Sequence, residues 1–355
     1  MILDVSGSNP LQKCVLHDVT VNSTGGQGIY MTENNRKSAE LIKGVLRVRE
    51  MAMIILLLIS GLIMTIFSPY FLSWTNFVAI SRGFAMEGLV VVGMSILLVS
   101  GAFDLSVGSV MALAGIVAAW LMVKTGTGQV VAVLGGIGVG GLAGLINGLI
   151  VSKIKVNPLI ATLGMMSVAR GICLGFTEGR PVINVPLEFA WYGQGSLVGF
   201  PVPFLIMILI VVVADLALRR SRPLRQLYYV GGNQAAAGLS GINVDRVVLL
   251  GFVASGSFAA LAGILSMARL QSGVPTAFVG VELRIIAACV IGGMSLSGGE
   301  GSVTGALLGL VFMALVSNAM TLFGVSIYWE GVITGTILIV AVSIDMLSRH
   351  RLHQS

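Results

Sequence analysis

The sequence predicts an all-α integral membrane protein of about ten transmembrane helices, and three observations carry that reading. Of the 355 residues, 56% are hydrophobic and only 10% are charged, whereas soluble domains carry roughly 25% charged residues. Apolar runs, each near the roughly 20 residues needed to cross a bilayer, recur between short polar or Gly/Pro breaks. These runs do not alternate in short strands as a membrane barrel does, so helices are the remaining way to satisfy backbone groups in lipid.

Taken in order, the chain begins with a polar stretch, residues 1–45, that lacks a sustained apolar period and the apolar stretch of a signal peptide. A tail is expected there, with Met31 as the expected initiator. The transmembrane domain is expected over 46–350, with spans near 52–70, 84–101, 105–123, 129–152, 157–177, 201–218, 246–269, 281–294, 302–323 and 329–348. With the N-terminus inside, the inner segments hold Lys43, Arg47, Arg49, Lys153, Lys155, Arg219, Arg220, Arg222, Arg225, Arg246, Arg349 and Arg351. The outer loops hold only Arg82, Lys124 and Arg180. Twelve cations against three obey the positive-inside rule, placing both termini and the loop at 219–246 in the cytoplasm. The same bias explains the net charge of +6 without any nucleic-acid partner, because no basic stripe with interleaved aromatics is present.

Within the fourth span Gly136, Gly140, Gly144 and Gly148 recur every four residues. Such a face lets a neighbouring backbone approach closely, and packing inside the chain is favoured over a dimer seam. A faint echo, "VGMS" at 92–95 and "GSV" at 108–110 against "GGMS" at 292–295 and "GSV" at 301–303, raises the question of duplicated halves.

The sequence carries no phosphate-binding loop, no nucleophile elbow and no zinc-binding H-E-x-x-H. Its three histidines, His17, His350 and His353, fall outside the spans, and Cys14, Cys173 and Cys289 lack metal or disulfide spacing. An enzyme or a metal-dependent protein is not expected. Proton-coupled carriers use chains of buried carboxylates and histidines, which are missing too.

Ionisable groups at membrane depth default to functional hypotheses, and here they are Asp104, Arg170, Asp215, Arg269, Glu282, Arg284 and Glu330. Asp215 and Arg269 fall near span ends, where such side chains reach the interface, and Glu330 falls where a carboxylate complements a helix dipole. Asp104 is placed either to cap the third span or to line a solute route. Arg170 lies deeper, suited to a salt bridge or carbonyl partner across helices or to solute contact. Glu282 and Arg284 are two residues apart and occupy different helix faces. The amides Asn147, Asn157 and Asn318 suit hydroxyl binding or inter-helix hydrogen bonding. The candidate solute route is Asp104, Asn147, Arg170, Glu282 and Asn318.

The segment "GGNQAAAGLSG" predicts a short helix capped by Asn233, running through Ala235 and Ala236, and ended at Gly241. So short a helix needs support from something else. Small side chains at a cytoplasmic position suit insertion into a groove of a soluble partner.

Five segments, "GAFDLSVGSVMALAG" at 101–115, "NPLIATLGMMSVARG" at 157–171, "GGNQAAAGLSGINVDR" at 231–246, "LAGILSMARLQSGVPTA" at 261–277 and "GVELRIIAACVIGGMSLSGGEGSVTGALLG" at 280–309, resemble in content and order the permease subunits of bacterial ABC importers for monosaccharides. These are the ribose, arabinose, xylose, galactose and autoinducer-2 type. The resemblance implies a type II importer-like bundle in the bacterial inner membrane. It also implies a second permease subunit, ATP-binding cassette subunits that bind ATP and Mg, and a periplasmic sugar-binding protein. This chain would hold no cofactor. In that family the loop corresponding to 231–242 supplies the helix that docks on the ATPase, here Asn233, Gln234, Ala235, Ala236, Gly238 and Gly241. A pentose is the expected solute. Composition and span count alone also allow an autonomous secondary carrier or channel.

Overall fold

A computed structural model describes residues 49–353. The expected tail at 1–45, Met31 and Cys14 lie outside the described residues.

The chain runs α1 (Arg49–Phe67), α2 (Trp74–Val99), α3 (Val107–Lys124), α4 (Gln129–Ser152), α5 (Pro158–Thr177) and a short α6 (Leu187–Gln194). A two-residue hairpin, Ser196–Leu197 with Phe200–Pro201, leads into α7 (Val202–Arg220). Then come α8 (Arg222–Gly232), α9 (Gln234–Leu239), α10 (Val244–Leu270), α11 (Val281–Ile291), α12 (Val303–Leu322), one 3-10 turn (Ile327–Trp329) and α13 (Glu330–His353). Each of the ten expected spans coincides with one helix. Among the described residues, eight helices are long and apolar enough to cross a membrane. Of the remaining two, α11 is too short to span a bilayer by itself, because "GGMSLSGGEG" breaks the helix into a glycine turn.

Helix starts follow local chemistry. Ser73 accepts from Asn76 N at the start of α2, Asn243 from Arg246 N at α10, and Ser302 from Gly305 N at α12. Asn157 caps α5, with Pro158 in its first turn. The α2 cap lies well before the expected start at residue 84, because the first turns hold polar residues that bond other elements, Asn76 to Asn318 and Arg82 to Gln194 O.

Helices α2, α3 and α10 form the buried centre, while α1, α5 and α7 turn apolar side chains such as Leu62, Ile66, Ile160 and Leu209 outward. In water such a face would be costly, and in lipid it is matched. The glycine face of α4 lies against α10. A Cβ at Gly140 would meet Gly256 O, one at Gly144 would meet Phe252 O, and one at Gly148 would meet Leu249 Cα at 3.0 Å. The four-residue period therefore serves packing inside the chain, bringing backbones together where lipid provides no hydrophobic drive. The echoed "VGMS" and "GGMS" segments occupy different elements, the interior of α2 and the turn after α11.

Candidate solute cavity and docking helix

A cavity of about 610 Å³ lies toward the end of the bundle opposite α9. Its walls come from the first half of α2, the ends of α10 and α12, and the starts of α11 and α13.

Arg284, on the first turns of α11, is the hub. Its Nη1 donates to Glu330 Oε1 at 2.5 Å, its Nη2 donates to Ser317 Oγ at 3.0 Å, and its Nε lies 3.2 Å from Glu87 Oε2. Ser317 Oγ also donates to Glu330 Oε1 at 2.6 Å. The planar guanidinium thus ties α2, α11, α12 and α13 together, using the multiple fixed donors that lysine lacks. The Arg284 and Glu87 side chains are 17% and 16% exposed, which places them at the wet edge of an otherwise apolar core. Nearer the mouth, Asn76 and Asn318 exchange amide hydrogen bonds at 3.1 and 2.7 Å. Arg269 lines the wall and donates to Arg82 O at 3.0 Å. Past Glu87, Leu89, Val90, Ile285 and Leu310 close the route with buried apolar side chains.

Of the five expected route residues, Asn318 lies on this wall, and the other four lie elsewhere. Asp104 is buried in the turn before α3, near the α9 end. Its Oδ1 accepts from Ser106 N at 2.8 Å and from Ser106 Oγ at 2.5 Å. Ser106 itself precedes the first residue of α3, so Asp104 holds the turn that leads into the helix and does not cap it. Asn147 extends this cluster by donating to Ser106 Oγ at 3.1 Å. Arg170 donates to the carbonyls of Pro275 and Ala277, pinning the loop between α10 and α11 to α5. Glu282 turns back and accepts from Gly280 N at 3.2 Å.

Sequence reasoning passed over Glu87, which sits in "FAMEGLVVVGMS", and discounted Glu330 and Arg269 as residues of span ends. A lone carboxylate inside an apolar run was the available signal for Glu87. For Glu330 no local signal existed, because its partners come from α11 and α12.

At the other end, α9 stands on the surface. Asn233 Oδ1 caps it by accepting from Ala236 N at 2.9 Å, and the amide of Ile242 returns to Ala237 O at 3.1 Å. Ala237 alone in α9 is buried, while Asn233, Gln234, Ala235, Ala236, Gly238 and Gly241 are exposed. Leu239 is 92% exposed. Gly241 takes φ +81°, the left-handed conformation that ends the segment. Behind α9, Lys153 and Lys155 both reach the Asp245 carboxylate, at 3.1 and 2.6 Å, fastening the α4–α5 turn to the start of α10. Cys173 and Cys289 are buried free thiols that pack as small apolar side chains.

The architecture thus defines a multi-span helical membrane protein with a polar cavity at one end and a small exposed helix at the other. Residues 76–342 match the family model described as "Branched-chain amino acid transport system / permease component", and the chain belongs to that family. It is 38% identical over 300 residues to the ribose import permease protein RbsC of Escherichia coli K12, covering 83% of this chain and 93% of that one. It is 37% identical over 291 residues to RbsC of Bacillus subtilis, covering 81% and 90%. The L-arabinose ABC transporter permease protein AraH of Azospirillum brasilense is 36% identical over 299 residues, covering 84% and 87%. No solved structure matches the chain.

Proposed function

We propose that this chain is the transmembrane subunit of an ATP-driven importer that moves a monosaccharide, a pentose such as ribose or arabinose, across the bacterial inner membrane. The observation that carries the reading is the exposed α9 helix, whose sequence and position suit docking on a separate ATPase. That ATPase binds and hydrolyses ATP with Mg. The likeness to permeases named for ribose and for L-arabinose supports the choice of a pentose. The cavity supports it as well. Its amides, hydroxyls and paired charges offer exchangeable hydrogen bonds to a neutral polyol, and none of them forms a catalytic constellation. Because most of these groups already bond or pair with one another, a sugar exchanges one set of interactions for another and is not trapped.

In this reading the cavity faces the periplasm, where a sugar-binding protein delivers the solute, and α9 and both termini face the cytoplasm. A second permease subunit completes the passage. Asn318, Asn76, Ser317 and the Arg284 cluster touch the sugar, while Asp104, Asn147, Arg170 and Glu282 shape the helices around it.

The test is substitution on α9. A Cβ at Gly238 would meet nothing within 4 Å, and Ala236 is exposed, so bulk there leaves the fold alone. Ala236→Glu and Gly238→Trp should reach the membrane at normal abundance, lose ATPase binding and abolish uptake. Wild-type pentose uptake by Ala236→Glu would overturn the docking role. Sugar flux through vesicles holding this chain alone, without ATP, would instead identify an autonomous carrier.

A further inference from the structure

Between α8 and the glycine turn after α11 runs a set of close backbone approaches with no intervening side chain. At its α9 side stand Gly231 and Gly232, the last residues of α8. A Cβ on Gly231 would run into Val99 O at the end of α2 and sit 2.5 Å from Gly299 N. A Cβ on Gly298 would lie 2.6 Å from Gly101 Cα, and one on Gly299 would lie 2.8 Å from Gly232 Cα. Gly298 and Gly299 have φ of +87° and +77°, so glycine is required there for conformation as well as space. Gly299 N donates to Val99 O at 2.9 Å, and Tyr228 Oη, on α8, donates to Gly301 O at 3.0 Å. Burial and then the Asp215 carboxylate push the Tyr228 phenol up, so it remains a donor across the physiological range.

The glycine turn is internally bonded. Met294 N reaches Cys289 O, Ser295 N reaches Glu300 O, and Ser297 N reaches Ser295 Oγ. It is therefore a compact extension of α11, a helix whose residues 285–290 are buried. Along α12 the fit is equally tight, because a Cβ on Gly309 would run into Ala288 O and one on Gly292 into Gly305 O. At roughly 1.5 Å per residue, α11 spans about 16 Å, and Arg284 sits near its far end. There the guanidinium fork grips Glu87, Ser317 and Glu330 on the cavity wall.

We propose that α11 and its glycine turn form the lever that carries movement of the ATPase-docked α8–α9 segment to the Arg284 cluster, with Gly231, Gly298 and Gly299 as its positioning residues. The proposal rests on the importer reading and adds the route inside this chain. Side-chain contacts can re-pack to absorb a displacement of a few tenths of an ångström. Backbone against backbone cannot, so motion at Gly231 is passed on to the turn and along a helix that has no slack against α12. A half-length helix anchored at both ends can move as a body without tearing a full membrane span.

The experiment uses the assembled importer in vesicles, with its ATPase and sugar-binding protein, and measures sugar moved per ATP hydrolysed. Gly231→Ala puts a methyl into the contact, whereas Gly232→Ala adds one where nothing lies within 4 Å. Gly231→Ala should lower sugar per ATP by about tenfold at retained ATPase binding, a size typical of coupling between sites, and Gly232→Ala should match wild type. If wild type transports and Gly231→Ala transports equally well, the lever is wrong while the function stands. A second measurement needs no variant: hydrogen exchange of the wild-type importer, nucleotide-free against vanadate-trapped. Amides 285–301 should change protection between the two states, and unchanged exchange there would overturn the lever. If the wild-type chain neither binds the ATPase nor supports uptake, the function falls and the lever with it.

Discussion

Arg284 shows how much of this site depends on one side chain reaching three helices. Removing one partner of a largely buried ion pair strands the other, at a cost of about 3 kcal/mol where a wet cavity adjoins. Arg284→Met should therefore lower the thermal midpoint of the purified protein and abolish uptake. Adding Glu87→Gln should restore part of the stability, because the stranded carboxylate is then gone. A double variant no more stable than Arg284→Met would show that charge pairing is not what holds these helices. Asp104 makes the opposite prediction. Asp104→Ala removes the acceptor of Ser106 N and Ser106 Oγ, a loss of about 1–3 kcal/mol for the groups left unpaired. Membrane abundance and uptake should fall together. Loss of uptake at full abundance would instead put Asp104 on the solute route.

At the scale of elements, the α4–α10 pair is held by absence of side chains. Gly144→Ala drives a methyl into Phe252 O and should cost about 1–3 kcal/mol as overpacking, read as a lower thermal midpoint in detergent. Gly138, on the same helix, has open space around its Cα, so Gly138→Ala should be neutral or slightly stabilising through helix propensity. Equal effects from the two would mean that the close approach does not matter. This seam was legible in advance because a period of four on a helix leaves one face bare. The partner, α10, was not legible, since any smooth helix surface fits such a face equally well. The short α11 was half legible: "GGMSLSGGEG" announces a break, but nothing local says that the turn lies against Gly101 and Gly231.

For the whole molecule, the arrangement separates two polar regions by a dry core, and the proposed topology, with α9 on the cytoplasmic side, is read from the charge bias. A single cysteine placed at Gly238 should be labelled by a membrane-impermeant thiol reagent only from the cytoplasmic face, and one at Leu187 only from the outside. Labelling of both from the same side would overturn the topology.

The sequence by itself determined the class of molecule, the order of the ten apolar segments, the glycine seam of α4 and the short capped helix at Gln234–Leu239. These rest on composition, on periods of a few residues and on a cap such as Asn233, all of which act locally along the chain. It also carried the resemblance to sugar permeases, because that likeness lies in contiguous motifs. Only the tertiary structure decided which ionisable groups face the cavity. Glu87, Arg284 and Glu330 are far apart in the chain, and what joins them is the convergence of α2, α11, α12 and α13. Long-range side-chain pairing is set by how helices pack, and that packing depends on all of them at once. The same reason separates Asn318, which lines the cavity, from Asp104, Asn147, Arg170 and Glu282, which look equally functional along the sequence but bond turns, loops and neighbouring helices.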